Sequence, residues 1–470
     1  TSAEECITAL IPMQEQTQPL SLGWVADEDG SLIALAVLQN GETAEVLVIE
    51  HELLRDPDLL AALSSFTAQG GIGFDAHNAK ELTRGFRQLG LVGEGLRLDT
   101  AIAAYLLDPT GGRYLLDDLL IRYCRQELVR SETANAGQLD LGGDGENAFL
   151  DIARDALAVS RLAPTMLNLI EERSMTWLYE DLERPLISVL SRMEDIGVGV
   201  DVKELTRMRD HLVSEVQRLE AAIHGIAGRE FNVNSTKQLR EVLFDELGLT
   251  PQKKTKTGYS TDAASLEKIR DQHEVVGLLL EYREVEKLRS TYGQGLLEVT
   301  DPDGRIRATF NQTVARTGRL SSEFPNLHNI PVRTPLGREF RKAFVPQSGY
   351  DFLVADYNQI ELRVIAHLAE DPGLIEAFEE GQDIHNATAA SIFGVDLEEV
   401  SVEQRSRAKM VSYGLAYGME AYGLGQRLGI DTSEASEILD AYFAAFPAVR
   451  SFMDDVVKKT KEVGYTETIF

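Results

Sequence analysis

The sequence predicts a multidomain chain, α/β in its first part and α+β in the remainder. Three observations lead there. The chain has 470 residues, more than one compact domain holds, which points to two to four domains. Residues 1 to about 175 alternate strand-like apolar runs with helical periods. From near Trp177 the texture changes to long amphipathic helices, then to short strands, then to helices again.

The elements follow in order. SLIALAVL and AEVLVIE read as paired strands around the turn-rich QNGET. ELLRDPDLLAALSSF is helical by period. GGIGFDAH is a short strand, with a helix following through LTRGFRQLG. SETANAGQLDLGGDGEN, residues 131–147, is Gly- and Asp-rich and reads as an exposed loop. LERPLISVLSRMEDIGVGVD predicts a helix and then a strand. Leu212, Val216, Leu219, Ile223 and Ile226 then mark one buried stripe of a long helix. FNVNSTKQL places N-cap residue types before a helix. VVGLLLEYREVEKLRSTYGQGLL is a second long helix, and the two project as a helical arm. RIRATFNQ and DFLVA are strand-like, and helices dominate from about Pro372.

Composition narrows the functions. Cys6 and Cys124 are the only cysteines, too few for a disulfide framework, so a reducing cytoplasm is expected. No CxxC or His/Cys cluster suggests structural zinc. No apolar run reaches the roughly 18 residues of a membrane span, and no signal peptide is visible. The opening TSAEEC and the closing GYTETIF read as the ends of a piece of a larger protein. A net charge of −30 argues against indiscriminate nucleic-acid binding. Basic residues are nevertheless concentrated. Arg305, Arg307, Arg316, Arg319, Arg333, Arg338, Arg341 and Lys342 stand against only Glu323 and Glu339. KKTKTG adds Lys253, Lys254 and Lys256. These are either solvated faces or tracks that hold a polyanion.

Four constellations carry chemistry. In ADYNQIELR, Asp356 follows the apolar run Phe352–Ala355. It is either a hard-cation ligand at a strand end, as magnesium requires, or a cap on the following helix. In that helix Ile360, Val364, Ile365 and Leu368 are expected to face inward, leaving Gln359, Glu361 and Arg363 off the stripe. In RSRAKMVSYGLAYG, Arg405, Lys409, Tyr413 and Tyr417 recur every four residues and drift by roughly 40° per step. Two cations and two rings on one stripe suit a triphosphate and a nucleobase; an ordinary basic face is the alternative. TGRLSSEFPNLHNIPVRTPLGREFRKAF reads as a backbone-tracking surface. GQDIHNATA places His385 before a helix, where it is either structural or functional.

Together these stretches resemble the first two polymerase motifs and the primer-template segment of the family A DNA polymerases. NVNSTKQL, KKTKTGYSTDA, EKLRSTY, FNQTVARTGRLSS, DIHNATAASIFGV, FPAVRSFM and GYTETIF extend the likeness from about Leu178 to Phe470. The resemblance implies an RNase H-like exonuclease-type domain over 1–175, followed by a right hand. Palm entry and thumb would cover 176–300, palm 301–371, and fingers 372–470. It implies DNA synthesis from deoxynucleoside triphosphates on primer-template DNA, by a cytoplasmic, nucleoid-associated monomer with no membrane partner. Asp356 and the Tyr357 carbonyl would ligate two Mg2+ ions. Arg405, Lys409 and His385 would hold the triphosphate. Tyr357, Gln359, Glu361, Tyr413 and Tyr417 would line the nucleotide, with Glu361 bonded to Tyr417 and opposing a ribose. Arg319, Asn326, His328, Arg289, Lys253, Lys254 and Lys256 would touch DNA.

The sequence also departs from the family. Tyr413 stands where most members carry phenylalanine, and His328 where they carry glutamine. The third motif, His-Asp-Glu with the second metal carboxylate, is expected beyond GYTETIF. In residues 1–175 the likeness rests on HNAKEL, LRLDTAIAAYLLDP and ARDALAV. The first strand, LSLGWV, lacks the family's acidic pair; Glu81 and Leu82 replace an aromatic and an aspartate, and Asp151 replaces a tyrosine, although Asp155 remains. Proofreading is therefore expected to be lost. A shifted set of Asp27, Asp29, Glu81 and Asp155 is the alternative. A non-catalytic nucleic-acid binder and a single-subunit RNA polymerase are further readings; Glu361 opposes the second.

Overall fold

The computed structural model describes residues 2–14, 18–38, 45–130, 145–256, 258–331 and 334–470. The expected QNGET turn and residues 131–144 of the expected exposed loop lie outside them, as does Arg333. The chain divides into two compact units, Thr1–Phe352 and Leu353–Phe470. Among the described residues no helix is long and apolar enough to cross a membrane.

The first unit begins with a five-stranded mixed sheet. β1 (Leu20–Ala26), β2 (Leu32–Leu38), β3 (Val46–Glu50), β4 (Phe74–Ala76) and β5 (Leu96–Asp99) lie in the order β3-β2-β1-β4-β5. The first three are antiparallel, with Gly23 opposite Ala36 and Leu35 opposite Ile49. β1, β4 and β5 run parallel. β2 is buried almost throughout, as a central strand covered on both faces must be. One cover is the helix Gly145–Glu172, which packs across β1 and β2. Gly23 permits that approach. A Cβ there would lie 2.1 Å from the Ile152 carbonyl oxygen and 2.8 Å from the Ala156 nitrogen.

The helical arm follows. Val202–Ala227 buries Leu205, Met208, Leu212, Val216, Leu219 and Ile223, the i, i+3/i+4 spacing of one face. It packs on Glu274–Leu288. Asp201 caps the first helix by accepting from the Lys203 and Glu204 amides, and Gly228 ends it at φ +71°. Ser235 caps Thr236–Arg240, as FNVNSTKQL predicts. The basic patch forms a hairpin of β6 (Lys254–Thr255) and β7 (Gly258–Tyr259). The strands expected in RIRATFNQ are present as Arg305–Ile306 and Thr309–Asn311, the second paired with Ser321–Glu323.

The second unit is helical. Its core gathers Leu362, Ala366, Leu374, Ile384, Val411, Leu415, Tyr442 and Phe446. Two expectations fail here. Phe352–Ala355 is not a buried strand: the segment has no regular structure, and Leu353 and Val354 are 94% and 87% exposed. A strand exists only through hydrogen bonds to a neighbour, and no described segment pairs with this one. In the helix Ile360–Ala369 the fully buried residues are Leu362 and Ala366; of the expected set Ile365 packs half-buried against the core, Val364 and Leu368 are half-buried, and Ile360 is exposed. Apolar residues lie on both sides of this short helix, so period alone left its rotation open.

Candidate functional site

The helix Val402–Ala416 is fixed at its start by a reciprocal cap between Ser401 and Gln404. Arg405, Lys409 and Tyr413 of the four-residue stripe lie on this helix, and Tyr417 follows at its C-cap. Lys409 and Tyr417 are exposed, and Arg405 and Tyr413 half-buried. The helix Ile384–Phe393 packs alongside it. Asp383 joins the two. Its carboxylate accepts from the His385 amide at 2.9 Å and the Asn386 amide at 3.2 Å. The same carboxylate accepts from Arg405 Nη2 at 2.8 Å and Nε at 3.1 Å. Burial alone raises its pKa, but the guanidinium and the two amides outweigh burial and hold it below the usual carboxylate range. Sequence reasoning missed Asp383. Its position before IHNAT is an N-cap signal; its pairing across to Arg405 is not.

His385 is 2% exposed, with its ring 5.7 Å from that of Tyr413. Its Nδ1 has no hydrogen-bond partner. Burial lowers its pKa, Asp383 opposes, and Lys409 and Arg405 add to the fall, so the imidazole is neutral near pH 7. Tyr413 is pushed up by burial first, then by the charges or dipoles of Glu361, Tyr417 and Asp356. The unit therefore gathers Asp356, Glu361, His385, Arg405, Lys409, Tyr413 and Tyr417 into one electrostatic neighbourhood.

Asp356 does not cap a helix. The cap position before Ile360 belongs to Gln359, at φ +55° and without a side-chain cap bond. Asp356 and Tyr357 are exposed. A carboxylate and a backbone carbonyl are hard-oxygen donors of the kind magnesium takes. Among the described residues, no three His, Cys, Asp or Glu side chains converge as a metal cluster. The donors present thus fit part of a magnesium shell.

In the first unit, Arg319, Asn326 and His328 are exposed. Asn326 lines a cleft of about 540 Å3 with Lys287, Thr291, Tyr292, Asn329 and Thr334. The His328 ring lies 6.0 Å from that of Phe310. Lys253, Lys254 and Lys256 are exposed on the β6–β7 hairpin. Arg289 pairs with Glu286 through two contacts of 2.7 and 2.8 Å. The arginine track is shorter than its sequence suggests. Arg305 donates to the Ile196 and Gly197 carbonyls, and Arg307 is engaged by Asp301, Asp303 and the Asp195 carbonyl. Both brace the fold, because nearby carbonyls and carboxylates supply the acceptors.

The amino-terminal sheet carries a separate cleft of about 450 Å3, lined by Gly23, Trp24, His77, Asp117, Arg130 and Asp155. Arg130 donates to Asp117 at 2.5 and 3.2 Å. It also forms an ion pair with Asp155 Oδ1 at 2.7 Å. Burial pushes the Asp155 carboxyl up to about 6 despite the opposing guanidinium. The alternative acidic set does not assemble. Asp27 is consumed in a turn, accepting from the Asp29 and Ser31 amides, and Glu81 contacts Lys80 at 3.6 Å.

The fold and the cation–aromatic helix have counterparts among known proteins. Residues 202–470 match the family description "DNA polymerase family A", and the chain belongs to that family. It is 44% identical over 420 residues to DNA polymerase I of Mycobacterium tuberculosis, covering 88% of this chain and 46% of the relative. It is 43% identical over 423 residues to DNA polymerase I of Geobacillus stearothermophilus, covering 88% and 47%. The chain spans about half the length of these relatives. Among solved structures, it resembles the polymerase domain of Pol1 from M. smegmatis, in complex with DNA primer-template and dNTP. That likeness has a TM-score of 0.89 at 37% identity, over 99% of this chain and 79% of the other.

Proposed function

We propose that this chain carries the nucleotide-binding half of a DNA-directed DNA polymerase, which extends a primer 3′-hydroxyl and releases pyrophosphate in replication and repair. The observation that carries the reading is the stripe Arg405–Lys409–Tyr413–Tyr417 beside the buried His385. Arg405 and Lys409 neutralise phosphate oxygens of the incoming nucleotide, and Lys409 protonates the departing pyrophosphate. His385, kept uncharged by burial, donates one neutral hydrogen bond to the same group. Tyr413 lies against the sugar and base, and Tyr417 packs toward the templating position. Gln359 and Glu361 border the sugar, where Glu361 disfavours a 2′-hydroxyl. Asp356 and the Tyr357 carbonyl would hold magnesium, which when bound lowers the barrier by neutralising charge on the phosphates and the attacking hydroxyl.

The helical arm is a thumb, with Lys253, Lys254 and Lys256 on its hairpin and Arg289 at its base meeting duplex. Arg319, Asn326 and His328 track primer-template. The palm begins near residue 176 and returns over 301–371, with fingers over 372–470. The sheet over 1–175 is an RNase H-like exonuclease scaffold without its chemistry. β1 offers Leu, Ser, Leu, Gly, Trp and Val where active relatives need an acidic pair, and Arg130 pairs with the remaining Asp155. The protein is read as a monomer working at the nucleoid.

Primer extension by the full-length protein tests this. Asp356→Ala should nearly abolish extension while primer-template binding persists; activity within tenfold of wild type would refute the assignment. The 470-residue chain alone should bind primer-template weakly and extend nothing.

A further inference from the structure

Within the first unit, the region of the five-stranded sheet is tied to the backbone of the arginine-bearing segment. Lys80, buried on the helix Ala79–Gln88, donates to Glu194 at 2.7 Å and to the Phe310 carbonyl at 2.8 Å. The Phe310 amide returns a bond to the same Glu194 oxygen at 2.7 Å. Gln312 donates to the Glu183 carbonyl at 3.0 Å and its carboxylate at 2.8 Å. Farther along, Tyr105 reaches out from the helix Thr100–Leu107. Its ring is 3% exposed and stands edge-on to Tyr114. Its hydroxyl donates to the Ala315 carbonyl at 2.8 Å and accepts from the Gly318 amide at 3.0 Å.

One phenol thus closes both ends of the turn Ala315–Gly318. Gly318 sits at φ +81°, a conformation that glycine adopts without steric cost. The clamp uses main-chain groups only. Arg316 and Arg319, on either side of Gly318, remain exposed at the surface. A phenol suits this task because it is both donor and acceptor on a stem with few rotatable bonds, and here the ring is locked by packing.

We infer that Tyr105 is a positioning residue for DNA: it fixes the Ala315–Gly318 turn so that Arg316 and Arg319 are presented pre-ordered to the primer-template backbone. The amino-terminal domain then has a present role, as the rigid support of the DNA-tracking turn, rather than being a relic. The inference rests on the proposed function for the identity of the polyanion. Pre-ordering raises affinity by removing the cost of arranging the turn on binding.

Tyr105→Phe keeps the ring and removes the clamp. Hydrogen exchange on the 470-residue chain should show faster exchange in peptides spanning 314–319, with little change in the sheet. Fluorescence anisotropy with a labelled primer-template should show the dissociation constant rising about fivefold or more. In the full-length protein the KM for primer-template should rise, while kcat at saturating DNA and the KM for dNTP stay near wild type. Gly318→Ala, for which there is open space around the new Cβ but a strained φ, should give the same signature from the other side of the turn. Unchanged exchange at 314–319 would show that the clamp does not hold the turn. Faster exchange with unchanged DNA affinity would overturn the positioning role. Failure of wild type to bind primer-template would refute the functional reading itself, whatever the exchange result.

Discussion

Tyr413 carries a hydroxyl on the stripe that also holds Lys409 and Tyr417, and its surroundings are acidic. A nucleotide's own 3′-hydroxyl can bond its phosphate; a dideoxynucleotide lacks that group. The Tyr413 hydroxyl can supply the missing bond, worth about 1.5–3 kcal/mol to a charged partner, or at least about tenfold in incorporation. The full-length protein should therefore accept dideoxynucleotides nearly as well as normal ones, and Tyr413→Phe should restore discrimination with little change in ordinary extension. Competition of the two substrates on one primer measures this; equal selectivity in both proteins would rule it out. His77 offers a test on stability. Its ring bonds Thr100 Oγ1 at 2.8 Å, and burial lowers its pKa to about 4, against about 6.5 unfolded. As pH falls from about 6.5 to about 4 the unfolded chain takes up a proton that the folded chain refuses, so stability falls. Asp99 and Asp155, each pushed up to about 6, work the other way between about 6 and 3.8, because the folded chain binds their protons first. The difference between wild type and His77→Gln isolates the histidine. Urea melts should show it growing in favour of the variant, by on the order of 2 kcal/mol, between pH 6.5 and 4.

The contact of β1 with the helix Gly145–Glu172 is the sharpest test among the elements. A methyl at Gly23 meets backbone atoms that cannot rotate away. Gly23→Ala should cost about 3 kcal/mol, read as a lower urea midpoint with an unchanged slope. None of this is visible in LSLGWV, because the helix that approaches Gly23 begins more than a hundred residues later. The strands SLIALAVL and AEVLVIE, the stripe of Val202–Ala227 and the cap at Ser235 were legible, since each is fixed by local period or local hydrogen bonding. DFLVA was misread for the converse reason: its composition suits a strand, but strands are made by partners. The Arg405–Tyr417 stripe was legible from spacing. Asp383 and Tyr105 were not, because their importance lies in atoms 22 and 210 to 213 residues away.

In the amino-terminal cleft one guanidinium is committed to two carboxylates, and no carboxylate cluster suited to two metals forms among the described residues. On the proposed function, a phosphodiester placed there would find no activated water. A mismatched primer 3′-end incubated with the full-length protein and magnesium should stay intact. Metal-dependent shortening that disappears in Asp155→Ala would show that the nuclease survives. The acidic surface of the chain serves the same economy of contact: a net charge of −30 repels nucleic acid everywhere except where exposed lysines and arginines are concentrated, so binding should be confined rather than diffuse.

The pairing of Arg405 with Asp383 means that the resting site is already occupied by an anion of its own making. A polyphosphate arriving at this helix does not meet a bare guanidinium; it must outbid a tethered carboxylate. Its net gain at Arg405 is an exchange of partners, smaller than the contact alone would give. On the proposed function, a triphosphate engaging Lys409 and His385 together with Arg405 would compete for the guanidinium better than a single negative charge. On that reading the internal carboxylate would act as a threshold against small anions.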